Sequence, residues 1–338
     1  MLKRLAVFVA ALMLAGACGV AQAQQTLTYS NFFPPTHAQS VLAQQWCDEV
    51  AKRTDGKLRV QYFPGQTLTK APQAFEGVTA GLSDIAMGCF SYTRGRFPVM
   101  EVVDLPLGYQ NGQAATAVIN EVYAQLKPKE LDGVEVLYLH AHGPGLLFTK
   151  DKPVAKLEDM KGLKIRSHGS SARLVQALGG TPVTMAMPES YQALSRGTVD
   201  GSVHPTESNL GWKLGEVVSY RTASFPVAYT TGFFVVMNKA KWDALPEDVK
   251  ATVRQVNQEW IAKSAAAWDK ADEAGLEYFL SLPGRKDIAL DAAESARWAA
   301  AAKPVLDEYA KAMDERGFDG KAIVSAAQAA LAKHNAAK

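Results

Sequence analysis

The stretch from Lys156 to Pro205, KLEDMKGLKIRSHGSSARLVQALGGTPVTMAMPESYQALSRGTVDGSVHP, decides the fold. Leu163 and Ile165 alternate with Lys164 and Arg166, so a short strand puts the apolar pair on one face and the charged pair on the other. Gly169 breaks that strand. Ser170 or Ser171 is placed to cap a helix through Ala172, Leu174, Val175 and Leu178, which stops at Gly179-Gly180. TPVTM (181–185) reads as a second strand, PESYQALSRG (188–197) as a short helix and TVDGSVHP (198–205) as a third strand. Strand–helix–strand–helix–strand requires parallel pairing through right-handed crossovers. Arg166 then lies at the carboxyl end of its strand, the edge where ligands collect in open α/β sheets. A guanidinium beside the free N–H groups of the next helix makes a carboxylate-binding corner. The plain alternative is an ion pair of Arg166 with Glu189 or Asp200.

Upstream, the pattern repeats. TLTYSN (26–31) alternates as a strand, and FFPPTH (32–37) is a turn built on Pro34-Pro35. Thr36 is placed to cap a helix with Val41, Leu42, Trp46 and Val50 on one face. KLRVQYF (57–63) is a strand, Ala71 to Ala80 a helix ending at Gly81, and LSDIAMG (82–88) a strand, which makes two β–α–β units. CFSYTRGRFP (89–98) follows directly and so falls at a carboxyl edge. Tyr92 offers a ring and a hydroxyl to a cleft there, and Arg94 and Arg96 add charge. Pairing of an arginine with Asp104 or Glu101 is the competing role. LPLGYQNGQAA (105–115) leads into a helix to about Leu126, and VEVLYLHAHGPG (134–145) is a strand running into a Gly-Pro-Gly turn.

Beyond Pro205, LGWKLGEVVSY (210–220) has a helical pattern and TTGFFVVMN (230–238) is an apolar strand, with Gly232 marking a close backbone approach or a hinge. Residues 244–282 then carry Val249, Val253, Val256, Trp260, Ile261, Ser264, Trp268 and Leu276 at helical spacing. A helix of that length exceeds ~45 Å and needs two lobes to lie against. A break near Ala274-Gly275 would instead divide it in two. KDIALD (286–291) is a short strand, and alanine-rich helices finish the chain against the second lobe. The fold class expected is α/β, two-lobed and hinged around a cleft. The first lobe takes 24–143 and 232–271, and the second takes 144–231 and 272–338.

Met1 to Ala23 reads as an export signal: Lys3 and Arg4, an apolar run too short for a membrane span, and Ala21-Gln22-Ala23 as the cleavage motif. Lipid attachment at Cys18 is the competing idea, and Ala15 stands where leucine is usual. Removing Lys3 and Arg4 takes the formal charge from +2 to zero. A neutral chain without basic tracts argues against nucleic acid or an anionic membrane as partner. Cys47 and Cys89 either pair in an oxidising compartment or remain buried thiols, and the second is favoured. His140 and His142 share a strand face as some zinc ligands do, but no HExxH or paired-cysteine spacing supports a metal site. Gly169-Ser170-Ser171-Ala172-Arg173 is not a nucleophile elbow. There is no phosphate loop or nucleotide fingerprint, so neither an enzyme nor a cofactor is expected.

KGLKIR (161–166), ALGGTPV (177–183), YQALSRGTVDG (191–201) and HPTES (204–208) together resemble the DctP family, the extracytoplasmic solute receptors of TRAP transporters. The resemblance implies a periplasmic binding protein, monomeric, that captures an organic acid and delivers it to a small and a large membrane subunit driven by an ion gradient. It implies that Arg166 forms a salt bridge with the ligand carboxylate. It implies a polar ligand contact at His204, where relatives usually have asparagine. Many relatives carry a second arginine where this chain has Pro144-Gly145-Leu146-Leu147, which argues against sugar acids and dicarboxylates. Met187 stands where many have an aromatic residue. Phe33, Tyr92, Met187 and Phe225, with Arg94 nearby, would then surround a monocarboxylate with an apolar or aromatic body. A ligand-sensing receptor using the same cleft and an exported metal-dependent hydrolase are the alternatives.

Overall fold

The computed structural model describes residues 24–335. The export signal, its cleavage motif and Cys18 lie outside the described residues. Eleven strands follow in chain order: β1 Gln25–Ser30, β2 Leu58–Phe63, β3 Ile85–Cys89, β4 Val134–Ala141, β5 Gly145–Thr149, β6 Lys164–Ser167, β7 Thr181–Thr184, β8 Gly201–Pro205, β9 Tyr220–Ala223, β10 Gly232–Asn238 and β11 Lys286–Ala289. They form two sheets, one ordered β2-β1-β3-β10-β4 and the other β11-β9-β5-β8-β6-β7. β1 pairs in parallel with β2 and β3, and β6 in parallel with β7 and β8, as the β–α–β reading requires. β10 runs antiparallel between β3 and β4 because the chain has come back from the other lobe. The crossings occupy His142–Pro144 and the segment before Gly232.

Each sheet is covered on both faces, which explains the continuous burial of β3 and β5. One face of the first sheet packs Trp46, Val50, Val253 and Trp260, and the other packs Phe75, Phe90, Val118 and Phe234. In the second sheet Ile165, Leu174, Val175 and Trp298 fill one face, and Phe148, Leu194, Leu214 and Phe279 the other.

Glu247–Ser281 is one continuous helix of 35 residues, about 52 Å long, so the break considered at Gly275 does not occur. Its Val249, Val253, Val256, Trp260 and Trp268 enter the first core and its Phe279 the second. Gly275 serves a close approach instead: a Cβ there would stand 2.4 Å from the Thr206 carbonyl oxygen. The next helix, Ala292–Asp314, starts in the second lobe with Trp298 and Ala302 and ends in the first with Val305, Tyr309 and Met313. Helix Gly320–Asn335 also joins the first core, through Ile323, Ala327 and Leu331. The expectation that the chain ends against the second lobe is therefore corrected: an amphipathic stripe does not say which sheet it faces.

Two caps shift by a residue or more. His37, not Thr36, caps helix Ala38–Arg53, its Nδ1 accepting from the Gln39 N–H at 3.2 Å. Val41 is left exposed there, and Ala43 and Cys47 join Trp46 and Val50 in the core. His168 precedes helix Gly169–Ala177, its backbone N–H donating to the Ser171 hydroxyl at 3.0 Å. Residues 210–220 hold only short turns before β9, not the helix expected. Cys47 and Cys89 are buried, unbonded thiols, and burial raises the pKa of each.

Candidate functional site in the interlobe cleft

The carboxyl ends of the parallel strands of both sheets converge. From the first lobe come Phe32 and Phe33 after β1, Cys89 and Tyr92 after β3, His142 after β4, and Thr231 and Phe233 entering β10. From the second come His168 after β6, Met187 after β7, Pro205, Glu207 and Ser208 after β8, then Trp212 and Tyr229. The long helix contributes Trp268. Seven aromatic side chains thus line one cavity. They interlock, with Phe32 stacked on Phe33 at 4.5 Å and Phe233 on Trp268 at 5.3 Å between centroids. The enclosed volume is about 20 Å³, room for roughly one water. Ligand pockets take roughly 300–1,000 Å³, so this is a shut cleft, and entry of a solute requires the lobes to part.

The two lobes also meet through polar contacts in and beside the cavity wall. The Met187 N–H donates to the Tyr92 hydroxyl at 3.0 Å. His37 Nε2 stands 2.8 Å from Glu207 Oε2. A relay joins Ser91 to the crossing strand. The Gly143 carbonyl can only accept, so His142 Nδ1–H donates to it at 2.5 Å, which leaves Nε2 to accept from the Thr231 hydroxyl at 2.9 Å. His168 Nε2 then donates to Thr231 at 3.5 Å and its Nδ1 accepts from Ser91 at 3.1 Å. Both rings must be neutral for this direction. Burial favours that, lowering His142 to about 4 and His168 well below its ordinary value, with the Arg166 charge adding to both shifts.

Arg166 lies directly behind the wall. It is fully buried, and backbone carbonyls hold it: Nε and Nη2 donate to Met185 at 3.2 and 2.9 Å, and Nη1 donates to Val203 at 3.4 Å. The Tyr229 hydroxyl donates to the same Val203 carbonyl at 3.0 Å. Five N–H groups are available to a guanidinium, so one on each terminal nitrogen is without a backbone acceptor. Among the described residues no carboxylate stands within 4.0 Å of it. The alternative partner Asp200 is occupied elsewhere, accepting from the Lys164 N–H at 2.7 Å. Burial raises the Tyr92 phenol well above its ordinary value, Cys89 adds to the rise, and the Arg166 charge opposes it. The guanidinium therefore acts on the cavity wall.

The family model for bacterial extracellular solute-binding proteins, family 7 (DctP), matches residues 29–312. The chain belongs to the DctP family. It is 30% identical over 241 residues to the 2,3-diketo-L-gulonate-binding periplasmic protein YiaO of Escherichia coli, covering 70% of this chain and 73% of that one. A TRAP solute-binding protein from Rhodoferax ferrireducens, solved with copurified benzoate, superimposes with a TM-score of 0.85 at 30% identity, over 92% of this chain and 98% of that one. Another, from an unidentified marine microbe and described as specific for aromatic acid ligands, gives a TM-score of 0.87 at 28% identity, covering 91% and 99%. It was solved with metahydroxyphenylacetate. The two-lobed α/β architecture is that of these TRAP solute-binding proteins, and a DctP-family protein binds its solute rather than transforming it.

Of the residues the sequence singled out, this DctP-family structure brings Tyr92, Met187 and Phe33 to the cavity, with Arg166 behind them. His204 is not on the wall. Its ring stacks on Phe148 at 4.1 Å inside the second lobe, Nδ1 is 3.0 Å from the Ser202 hydroxyl, and burial holds it at a pKa of about 3. Alternation along β8 turns the side chain inward, and the residues from this segment that line the cavity are Pro205, Glu207 and Ser208. Phe225 lies in a separate groove with Gln110 and Arg221, whose guanidinium sits 5.7 Å from the ring. Arg94 is exposed at the outer mouth of the cleft, near Arg173 and Glu189. Arg96 packs over Phe75 at 4.5 Å, and Asp104 is taken by the Gly232 N–H at 2.8 Å. His140 and His142 bind Trp268 and Gly143. Among the described residues no three histidine, cysteine or acidic side chains group as metal ligands. No helix there is long and apolar enough to cross a membrane.

Sequence reasoning missed Phe32, His168, Trp212, Thr231, Phe233 and Trp268. Phe32, Phe233 and Trp268 look like core residues, and they are core residues that also form the wall. His168 carried a signal: it follows the KIRS strand at the same edge as Arg166.

Proposed function

We propose that this protein is the periplasmic receptor of a TRAP transporter for a monocarboxylate with an aromatic body. The observation that carries this reading is Arg166: a buried guanidinium with no acidic partner among the described residues, next to a cavity walled by seven aromatic rings. A buried charge is costly unless compensated, and a ligand carboxylate supplies the compensation with a planar, two-point match. Opening the cleft admits the acid, and closure removes water, so the ion pair strengthens as the rings enclose the body. Lysine would not substitute, since its single ammonium lacks the fork.

Solved relatives at 28–30% identity carry benzoate, metahydroxyphenylacetate and mandelate, each of which has one carboxylate and one aromatic ring. The YiaO relative handles a sugar-derived acid. Against that ligand class here, Gly145, Leu146 and Leu147 line up on β5 without an arginine, and the Tyr229 ring would lie 2.2 Å from a Cβ on Gly145. The family resemblance supplies the partners, a small and a large membrane subunit, and a monomeric receptor is the simplest stoichiometry for delivery.

A thermal-shift panel on ligand-stripped residues 24–338 tests the reading. Benzoate and phenylacetate analogues raise the melting temperature by several degrees, as mass action requires at concentrations about 100-fold above Kd. Stabilisation by C4-dicarboxylates or sugar acids alone would refute the aromatic assignment.

A further inference from the structure

Among the seven rings of the cavity stands one carboxylate. Glu207 is 3% exposed, follows β8, and belongs to the wall formed with Ser208 and Trp212, whereas Arg166 lies behind Tyr92 and Met187. Both of its oxygens accept. Ser208 donates its hydroxyl proton to Oε1 at 2.5 Å, and His37 faces Oε2 at 2.8 Å. His37 Nδ1 is occupied by the Gln39 N–H, so the proton on that ring is on Nε2 and points to Glu207. An acid accepting at both oxygens is a carboxylate. Its backbone N–H is also fixed, donating to Asp272 Oδ1 at 2.7 Å. Gly211 leaves room for the group: a Cβ there would come within 2.7 Å of Glu207 Oε2 and of the His37 ring. The side chain is thus built in, and no arginine or lysine among the described residues pairs with it.

We infer that Glu207 is a specificity-determining residue that makes the cavity take aromatic monocarboxylates bearing a neutral hydrogen-bond donor on the ring and reject those bearing a second carboxylate. This rests on the assignment of Arg166 as the partner of the first carboxylate. The two charges polarise the cavity, positive behind Tyr92 and Met187 and negative beside Trp212. A second ligand anion would meet Glu207 in a space closed to water, where like charges repel strongly. A hydroxyl on the ring would instead donate to a lone pair that His37 and Ser208 leave open, since a carboxylate accepts about four hydrogen bonds. Selection here is both attraction and exclusion.

Calorimetry of residues 24–338 with benzoate, the three hydroxybenzoates and the three benzenedicarboxylates, on wild type and Glu207→Gln, tests this. In the wild type the best hydroxybenzoate isomer binds at least about fivefold tighter than benzoate, and every dicarboxylate at least about 100-fold weaker. In Glu207→Gln the hydroxyl preference disappears and the penalty on dicarboxylates shrinks at least about tenfold. Unchanged preferences in the variant, or a dicarboxylate that binds the wild type as tightly as benzoate, would overturn the inference while leaving the aromatic reading intact. Failure of every one of these acids to bind would overturn both. Circular dichroism checks that the variant folds; if it does not, the wild-type series alone decides.

Discussion

Three of the buried histidines give the residue scale its most direct consequence. His140 accepts the Trp268 indole N–H at 3.0 Å and burial lowers its pKa to about 3; His142 stands at about 4 and His204 at about 3, against 6.5 for a free ring. Above pH ~6.5 these rings are neutral in both folded and unfolded chains and contribute no pH dependence. As pH falls below that, the unfolded chain takes up protons that the folded chain refuses, so stability drops until each folded pKa is reached. Asp104 opposes this. Burial raises it to about 8 from 3.8, so the folded chain keeps a proton the unfolded chain releases, and stability falls as pH rises between those values. His140→Gln keeps an acceptor for Trp268 and removes one titrating ring. Urea unfolding at pH 7 and pH 5 should show the variant losing about 2 kcal/mol less than wild type over that interval. Equal losses would mean that His140 is not held neutral by burial.

Strand ends made only part of the cavity wall legible, since His168 follows the KIRS strand at such an edge and was passed over. Arg166 and Tyr92 follow from the rule that ligands gather at carboxyl edges, Met187 came from the family resemblance alone, and Glu207 stood inside the HPTES run without a role. His204 was misplaced because the alternation that aims a side chain into a cleft or into a core depends on where the sheet's neighbours lie, which one sequence does not contain.

At the scale of the element, the long helix was visible in its spacing, and what was not visible is that it runs unbroken through Gly275. Glycine inside a helix costs about 1 kcal/mol relative to alanine, so a break near Ala274-Gly275 stood as the alternative to one continuous helix. The structure gives Gly275 another task. The Thr206–Glu207 backbone approaches so closely that a Cβ would lie 2.4 Å from one atom and 2.7 Å from another, neither of them a movable side-chain end. Gly275→Ala therefore gains helix propensity and loses more to overpacking, which typically costs 1–3 kcal/mol. Denaturant unfolding should place the variant below wild type in midpoint, with the slope unchanged. A variant more stable than wild type would show that the contact yields easily. The same approach sets Glu207 in the cavity wall, so weaker ligand binding should accompany the loss.

For the whole molecule, both lobes and the parallel β–α–β order could be read in advance, while the final helices could not be assigned to a lobe. Their apolar stripes are satisfied by either sheet, and only tertiary packing puts Tyr309 and Leu331 in the first core. The chain crosses between lobes at His142–Pro144, again before Gly232, and along Glu247–Ser281, and the helix Ala292–Asp314 spans both cores. Such a frame closes by a hinge. Small-angle scattering should show a smaller radius of gyration with ligand than without, and Trp212 and Trp268, both in the wall, should change in fluorescence on binding. No change in either would indicate that the cleft does not move.

The central claim is that Arg166 holds the ligand's carboxylate. Calorimetric titration of ligand-stripped wild type and Arg166→Ala with the tightest-binding acid tests it most directly, with circular dichroism confirming that both chains are folded. The account predicts tight binding by wild type and a loss of more than about 2 kcal/mol, some 30-fold in Kd, in the variant. Unchanged affinity in a folded Arg166→Ala chain would contradict it and move the carboxylate away from this arginine.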